Sequence, residues 1–540
     1  MKKLALDNSD FEHLRNSDLL YVDKTPYIHH LLEEKGTYYF LSRPRRFGKS
    51  LFISTLENYF LGKKELFKDL YIYDKTDWEK HEYPVIRLNF SDIDSDKSKK
   101  EFEGAIIDYL DSRYAWRFNL KIETNTNLKN YLNRFILAIH HQTGKKVVML
   151  IDEYDKPITD HIKDLQKIED NQTVLRKLYD WLKNNPQHLR FVFLTGISKF
   201  AKMSVFSALS NVRDISEQEH FNGILGFTRS EIEVNFQEYL IAFAKKQATT
   251  VEEILKLLKF WYDGYSWNGE ERVFNSYSIL YVMHDKKFKN YWYGTGTPKL
   301  LIDFITRHSN YRATQKSAKT YENIRVEGEF FMSKELSELE IDHLLYNTGY
   351  LTINYKKKVG VLYEYYLNYP NYEVRWSFTS YLLNYFYKVP YNAIKLDANS
   401  LRLTLEQGDL EKSKQLIRRF FNNIPYELRK NTDEAYYHSL FQMLMMLIGV
   451  KAQSEESGSM GRADVILPFS SKVYIIEFKY AQSGTMKALL NKAIQQITDN
   501  QYAAAFEGDN RPILSLGIGF LEKKQKGKIA ALEIDCLLKD

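Results

Sequence analysis

The sequence predicts an α/β protein in three parts, and three observations carry that reading. Apolar strand-like runs alternate with helical patterns over residues 1–245, and the same alternation returns from about residue 426. Between them the text is mostly helical and rich in aromatic residues. At 540 residues the chain is also too long for one hydrophobic core. The expected division is a first α/β domain over 1–245, a mostly helical lid or linking region over 246–425, and a final α/β domain over 426–540.

In the first part the strand candidates are Tyr38–Ser42, Val85–Asn89, Val147–Asp152 and Phe191–Thr195. Each is short, β-branched or aromatic, and nearly continuous in apolar character, as strands covered on both faces must be. The middle part holds the aromatic run FWYDGYSW and a hairpin pattern, KVGVLYEYYL. In the last part a helix over Asp433–Leu447 precedes the strands ADVILPF and KVYIIEF, which a Ser-Ser turn joins. A helix over Met486–Ala505 and the strands ILSLGIGF and KIAALEI follow.

Composition narrows the class. The chain is 44% hydrophobic and 27% charged with no low-complexity tract, the profile of a soluble globular protein. No apolar run approaches the roughly 20 residues of a bilayer span, so no membrane partner is expected. The N-terminal MKKLALDNSD lacks the apolar stretch of a signal peptide. The single cysteine, Cys536, excludes a disulfide framework and a Cys-based zinc site, which fits a reducing cytoplasm. A net charge of +6 spread over so long a chain permits nucleic-acid binding without demanding it.

The segment FLSRPRRFGKSLFISTL reads as strand, loop and helix, with the loop closing on Gly48-Lys49-Ser50. Backbone N–H groups at such a helix start cradle phosphates, the lysine reaches the outer phosphates, and the serine hydroxyl ligates Mg²⁺. The predicted nucleotide contacts are Arg46, Phe47, Gly48, Lys49, Ser50 and Leu51. The generic pattern opens with glycine, whereas Arg43 stands in that place, followed by Pro44.

The run KKVVMLIDEYDKP then ends a strand in Asp152 and Glu153, about 100 residues after the loop. Asp152 is expected to hold Mg²⁺ through water, and Glu153 to polarise the attacking water. A carboxylate pair can instead cap a helix, but the intervening strand PVIRLNF favours the ATPase reading. The next strand ends in Thr195, a candidate for sensing the γ-phosphate or else a plain turn residue before Gly196; Ser198 stands close behind it. Arg45, Arg46 and Arg213 are open alternatives for a charge-stabilising arginine.

A second constellation is GRADVILPFSSKVYIIEFKYA. Glu477 and Lys479 alternate on one strand and so share a face, and Asp464 can meet them from the adjoining strand. Two carboxylates with the Ile476 or Phe478 carbonyl make a hard oxygen site for Mg²⁺ or Mn²⁺. Glu434, on the preceding helix, is a candidate third ligand, and Lys479 can orient water and stabilise charge on a scissile phosphate. An ordinary salt bridge on a hairpin edge is the competing account of Glu477 and Lys479.

Taken together, YVDKT, RPRRFGKS, IDEYDKP and TGISKF resemble the bacterial AAA-ATPase-like family, often fused to a C-terminal PD-(D/E)XK nuclease-like domain. WYDGYSW, GYLTI and YPNYEVR are similar to that family's linking region, so the resemblance spans nearly the whole chain. It implies an ASCE/AAA-like P-loop NTPase domain, a helical lid region and a restriction-endonuclease-like domain. It also implies Lys49, Ser50, Asp152 and Glu153 in the ATPase site, and Glu434, Asp464, Glu477 and Lys479 in the nuclease site, with Gln496 a further candidate.

The expected activity is ATP hydrolysis coupled to Mg²⁺-dependent cleavage of nucleic acid, DNA more than RNA, in a bacterial cytoplasm. Such ATPases often complete their sites across subunits, so a homo-oligomer is compatible with this reading. Defence against foreign DNA and mobile-element biology are the settings the pairing of activities suggests. The competing reading is a nucleotide-dependent switch or remodeller whose nuclease-like domain only binds nucleic acid or protein. Trp261, Tyr262, Tyr265 and Trp267 could stack on bases or form the core of a small lid.

Overall fold

The computed structural model describes residues 1–199, 211–292, 322–332, 340–425, 434–449, 456–458, 461–506, 508–525 and 528–539. Two compact units emerge, Met1–Ser309 with Asn323–Glu373, and Asn310–Glu322 with Val374–Asp540. The fold is mixed α/β, as the sequence predicts.

The first unit is built on a parallel sheet of β1 (Tyr38–Ser42), β2 (Val85–Asn89), β3 (Val147–Asp152), β4 (Leu189–Gly196) and β5 (Arg213–Asp214), ordered β2-β3-β4-β1-β5. Every residue of β1 and β3 is buried, which accounts for their unbroken apolar text. Helices Lys49–Phe60, Leu128–Thr143 and Leu165–Asn184 connect the strands. Asn127 caps the second of these by accepting the Asn130 N–H, and Asp164 caps the third through the Lys167 N–H. Because β4 lies between β1 and β3, the C-terminal ends of all three open on one edge of the sheet. That edge carries the phosphate loop after β1, Asp152 at the end of β3 and Thr195 near the end of β4.

A second core in this unit joins helices on both sides of residue 245. Ile232, Phe236, Leu240 and Phe243 pack with Ile254, Leu258, Tyr262, Ile279 and Val282. An antiparallel sheet of β6 (Ile324–Glu327), β7 (Thr352–Val359) and β8 (Leu362–Asn368) runs in the order β6-β8-β7, so the hairpin pattern forms the predicted pair.

The second unit opens its last part with helix Glu434–Leu447, followed by the short pair β9 (Glu456–Gly458) and β10 (Gly461–Ala463). Then come β11 (Val465–Pro468), β12 (Val473–Ala481), β13 (Ile513–Gln525) and β14 (Lys528–Lys539) in one sheet ordered β11-β12-β13-β14. The β12–β13 pair is parallel and the outer pairs are antiparallel. Helix Met486–Asp499 lies in the β12–β13 crossover and buries Leu490, Ala493, Ile494 and Ile497. Among the described residues no helix is long and apolar enough to cross a membrane.

Candidate functional sites

After β1 the chain turns through Arg46 and Gly48, both in the left-handed region at φ 68° and 93°. Gly48 is the N-cap of helix Lys49–Phe60 and offers no side chain to its first turn, so those N–H groups face outward for an anion. The Lys49 ammonium donates to the Arg43 carbonyl at 3.0 Å and the Pro44 carbonyl at 2.8 Å. Burial lowers its pKa to about 8, against the opposing charges of Asp152, Glu153 and Asp155. A cavity of about 500 Å³ adjoins the loop, lined by Arg45–Phe52, Ser91, Glu153, the N-terminal segment Ala5–Ser9, Ile224–Phe227 and Tyr277.

Arg43 does not enter that cavity. Its guanidinium is fully buried, lies 3.8 Å over the Trp267 ring, and donates to the carbonyls of Ser42, Ser216 and Phe221 at 2.9, 2.7 and 3.1 Å. Nearby, Lys199 pairs with Glu217 at 2.8 Å and Asp214 at 3.2 Å. The arginine thus turns the loop's first residue into an anchor to the β5 end and the middle segment. Tyr265 meets Phe47 edge-on at 4.7 Å, so the WYDGYSW segment packs against the phosphate loop. Tyr265 and Trp267 are buried there and Tyr262 is buried in the helical core, as core residues are. Gly349 of GYLTI completes this collar: a Cβ there would meet the Pro44 side chain at 2.6 Å, and its φ is +88°.

Glu153 lines the cavity, and Asp152 precedes it at the end of β3. Asp152 is buried; its Oδ1 accepts the Glu153 N–H at 3.1 Å, whereas its Oδ2 has no hydrogen-bond donor. Burial raises its pKa, with the Ser50 hydroxyl, Lys49 and Arg87 opposing. The buried carboxylate, its Oδ2 3.8 Å from the Arg87 guanidinium, stands with the Ser50 hydroxyl as a hard oxygen donor set that suits Mg²⁺. Glu153 sits in the left-handed region at φ 52°, and its carboxylate accepts from the Ser91 hydroxyl in the 3₁₀ turn Phe90–Asp92 that follows β2.

Thr195 lies near the end of β4, at the sheet edge that carries the phosphate loop. Its hydroxyl donates to the Leu41 carbonyl of β1 at 2.9 Å and is buried between the strands. Ser198 donates its N–H and hydroxyl to Asp155 Oδ2 at 2.9 and 2.6 Å. Arg213 pairs with Glu34 at 2.7 Å, while Arg45 and Arg46 line the cavity. The DKT motif gains a role: Lys24 binds both Glu231 oxygens at 2.7 and 2.8 Å, and Asp23 accepts the Tyr71 N–H at 2.7 Å. These contacts tie the DKT segment to helix Arg229–Asn235 and to Tyr71. Asp155 and Lys24 were legible as motif members only, since their partners lie 43 and 207 residues away.

In the second unit Val465 pairs with Ile476, a register that sets Asp464 opposite Glu477. Asp464 Oδ2 accepts the Phe478 N–H at 2.8 Å. Lys479 Nζ donates to Glu477 Oε1 at 3.0 Å and to the Phe478 carbonyl at 2.7 Å. Glu477 is buried, and its Oε2 lacks a hydrogen-bond partner. Burial first and the Asp464 charge second push its pKa up to about 7. The structure therefore brings Asp464, Glu477 and Lys479 together around one orphaned oxygen, which suits a hard divalent cation. The Glu434 side chain lies outside the described residues, and among those residues no group of three His, Cys, Asp or Glu side chains is arranged to hold a metal.

His438 was not foreseen; its Nε2 lies 3.0 Å from the Asp464 carbonyl and 3.1 Å from Gln442 Nε2. The signal in the sequence is a His and a Gln four residues apart, on one face of helix Glu434–Leu447. Gln496 is half-buried on helix Met486–Asp499.

The comparisons agree with this layout. A family model described as a predicted AAA-ATPase matches residues 6–206, and one for the PD-(D/E)XK nuclease superfamily matches residues 432–528. A protein of Azotobacter chroococcum mcd 1, described as an uncharacterized protein in the vnfD 5′ region, is 32% identical over 524 residues, covering 96% of each chain.

Proposed function

Because the chain belongs to the family that joins a predicted AAA-ATPase domain to a PD-(D/E)XK nuclease superfamily domain, we propose that it hydrolyses ATP and cuts DNA phosphodiester bonds at a divalent-metal site. The observation that carries the nuclease half is the buried, unpartnered Glu477 Oε2 between Asp464 and Lys479.

At the first site, the outward N–H groups of helix Lys49–Phe60 and the Lys49 ammonium receive the phosphates. The ammonium releases the Arg43 and Pro44 carbonyls to do so, and its lowered pKa reflects a buried cation short of anionic partners. Ser50 and Asp152 are the residues that would hold Mg²⁺. Glu153, steadied by Ser91, stands at the cavity wall to orient and accept a proton from water. Arg45 and Arg46 reach the same cavity and supply cationic charge.

At the second site, Asp464 and Glu477 would hold Mg²⁺ or Mn²⁺. A cation there supplies charge neutralisation on the scissile phosphate and an acidified water. Lys479 opposes the rise in the Glu477 pKa and places an ammonium beside that carboxylate, where it would stabilise developing phosphate charge. His438 braces the Asp464 main chain from the preceding helix.

The test is cleavage of labelled DNA and RNA substrates with and without ATP and Mg²⁺, beside an Asp464→Ala control. Cleavage that needs Asp464 supports the proposal. Protein that binds DNA yet never nicks it with any metal or nucleotide sinks it in favour of a nucleotide-dependent switch.

A further inference from the structure

The hairpin β7–β8 projects past its neighbour. The third strand, β6, pairs with β8 only as far as Glu327 opposite Glu364, leaving Lys358–Tyr363 as a two-stranded ribbon with Lys357 at its base opposite Glu364. At about 3.4 Å per residue this ribbon extends roughly 10 Å beyond the sheet. Its tip is apolar and open: Val361 is 91% exposed and Leu362 68%. Isolated apolar side chains at the surface are ordinary, but two adjoining ones on a projecting turn beside a lysine run are not.

The charge on this ribbon is one-sided. The hairpin carries Lys356, Lys357 and Lys358 at and just below the ribbon's base, against Glu364, which Arg325 already pairs, and Glu327 of β6 opposite it. Lys356 is engaged by Glu270 at 2.8 Å, whereas Lys357 and Lys358 form no ion pair among the described residues. Alternation along the strand sends Lys357 to the face shared by Tyr355 and Tyr366, and Lys358 to the opposite face with Tyr363. The rings of Tyr355 and Tyr366 stack at 4.4 Å, and Tyr355 is exposed. Cations on both faces of one ribbon suit a ligand with negative charge on two flanking walls.

We propose that the β7–β8 hairpin is a DNA-binding wing, its ribbon entering the major groove of B-form duplex with Lys357 and Lys358 on opposite phosphate backbones and Val361–Leu362 at the groove floor. The B-form major groove, about 12 Å wide, admits a two-stranded ribbon, whereas the A-form groove of duplex RNA is too narrow. Lysine is depleted at protein–protein interfaces, so charge complementarity favours the polyanion over a protein partner. The proposal rests on the reading of this chain as a DNA-acting protein. It adds a contact far along the sequence from either carboxylate site.

The experiment is fluorescence anisotropy of the full-length protein on a labelled DNA duplex across a salt series, with the Lys357→Gln/Lys358→Gln and Val361→Ser/Leu362→Ser variants. All four positions are exposed, so both variants keep the fold, checked by unchanged ATP binding. The lysine variant is expected to bind about tenfold more weakly near physiological salt and to lose close to two from the slope of log K against log salt. The tip variant is expected to weaken binding with the slope intact. Wild-type affinity and slope in both variants overturn the wing while leaving the wider DNA reading standing, and a wild-type protein that binds no duplex overturns both. Tighter binding to duplex RNA overturns the groove assignment. So does wing-dependent co-sedimentation with phosphatidylserine–phosphatidylcholine vesicles alongside wing-independent DNA binding.

Discussion

The Arg43 guanidinium lies 3.8 Å over the ring of Trp267, in the same pocket where it donates to the Ser216 and Phe221 carbonyls. A residue that breaks the generic phosphate-loop pattern is therefore the loop's tie to two distant segments. Replacing it with the glycine of the generic pattern leaves buried carbonyls without donors and Trp267 without its cation. Arg43→Gly is expected to cost about 2–4 kcal/mol of stability, seen as a lower thermal midpoint, and to weaken ATP binding. Arg43→Lys will not restore either, because an ammonium lacks the planar fork that serves Ser216 and Phe221 together. A glycine variant with wild-type midpoint and affinity would remove the anchoring role.

Lys49 and Glu153 are expected to separate binding from chemistry. Lys49 contributes a charge-assisted contact to phosphate, so Lys49→Ala should raise the ATP dissociation constant by about 10–100-fold. Glu153→Gln keeps the shape and the Ser91 contact but removes the proton acceptor. It should bind ATP as wild type does and turn over about 10²–10⁴-fold more slowly. Nucleotide titration and steady-state phosphate release measure the two effects. If Glu153→Gln hydrolyses ATP at the wild-type rate, the general-base assignment is wrong.

How much of this was legible follows from distance along the chain. Strands β1, β3 and β12 show in the sequence because burial on both faces writes a nearly continuous apolar run, whereas β14 alternates buried with half-buried or exposed residues. Glu477 and Lys479 were readable as neighbours because a strand repeats every two residues. Asp464 followed because a short turn fixes the hairpin register. Thr195 was readable as a strand end, but whether its hydroxyl faces a phosphate or the Leu41 carbonyl depends on which strand lies alongside. Arg43 with Trp267, Lys24 with Glu231 and Asp155 with Ser198 join elements that only the folded topology brings together. No local pattern encodes such a contact.

Glu373 supplies a pH-dependent element. It is fully buried, accepts the Trp292 N–H at 2.7 Å and the Ser278 hydroxyl at 2.7 Å, and burial pushes its pKa up to about 7 from an ordinary 4.5. Between those values the folded chain holds a proton that the unfolded chain has released. Stability from this group therefore falls as pH rises toward 7 and is level above it. Glu373→Gln can still accept from Trp292 and bond Ser278, and it carries no charge to bury. The variant's thermal midpoint should gain on wild type as pH is raised from about 5 to about 8. A difference that is flat across that range would mean Glu373 is not protonated in the folded state.

Asp464→Asn isolates the charge at the second site from its fold. The amide oxygen can still accept the Phe478 N–H that Asp464 Oδ2 accepts at 2.8 Å, so the hairpin register should hold. The thermal midpoint is expected to stay within about 2 °C of wild type, since only one exchangeable contact changes. Removing the Asp464 charge also removes one of the causes that raise the Glu477 pKa, so Glu477 should ionise at lower pH in the variant. A gain in ionised Glu477 nevertheless comes with the loss of the second anionic ligand, and for a hard divalent cation the ligand count dominates. Calorimetric titration with Mn²⁺ should therefore show weaker binding, and DNA cleavage should fall by about 10²-fold or more. Unchanged Mn²⁺ affinity in Asp464→Asn would place the cation elsewhere and leave Glu477 and Lys479 as a buried ion pair with no metal to serve.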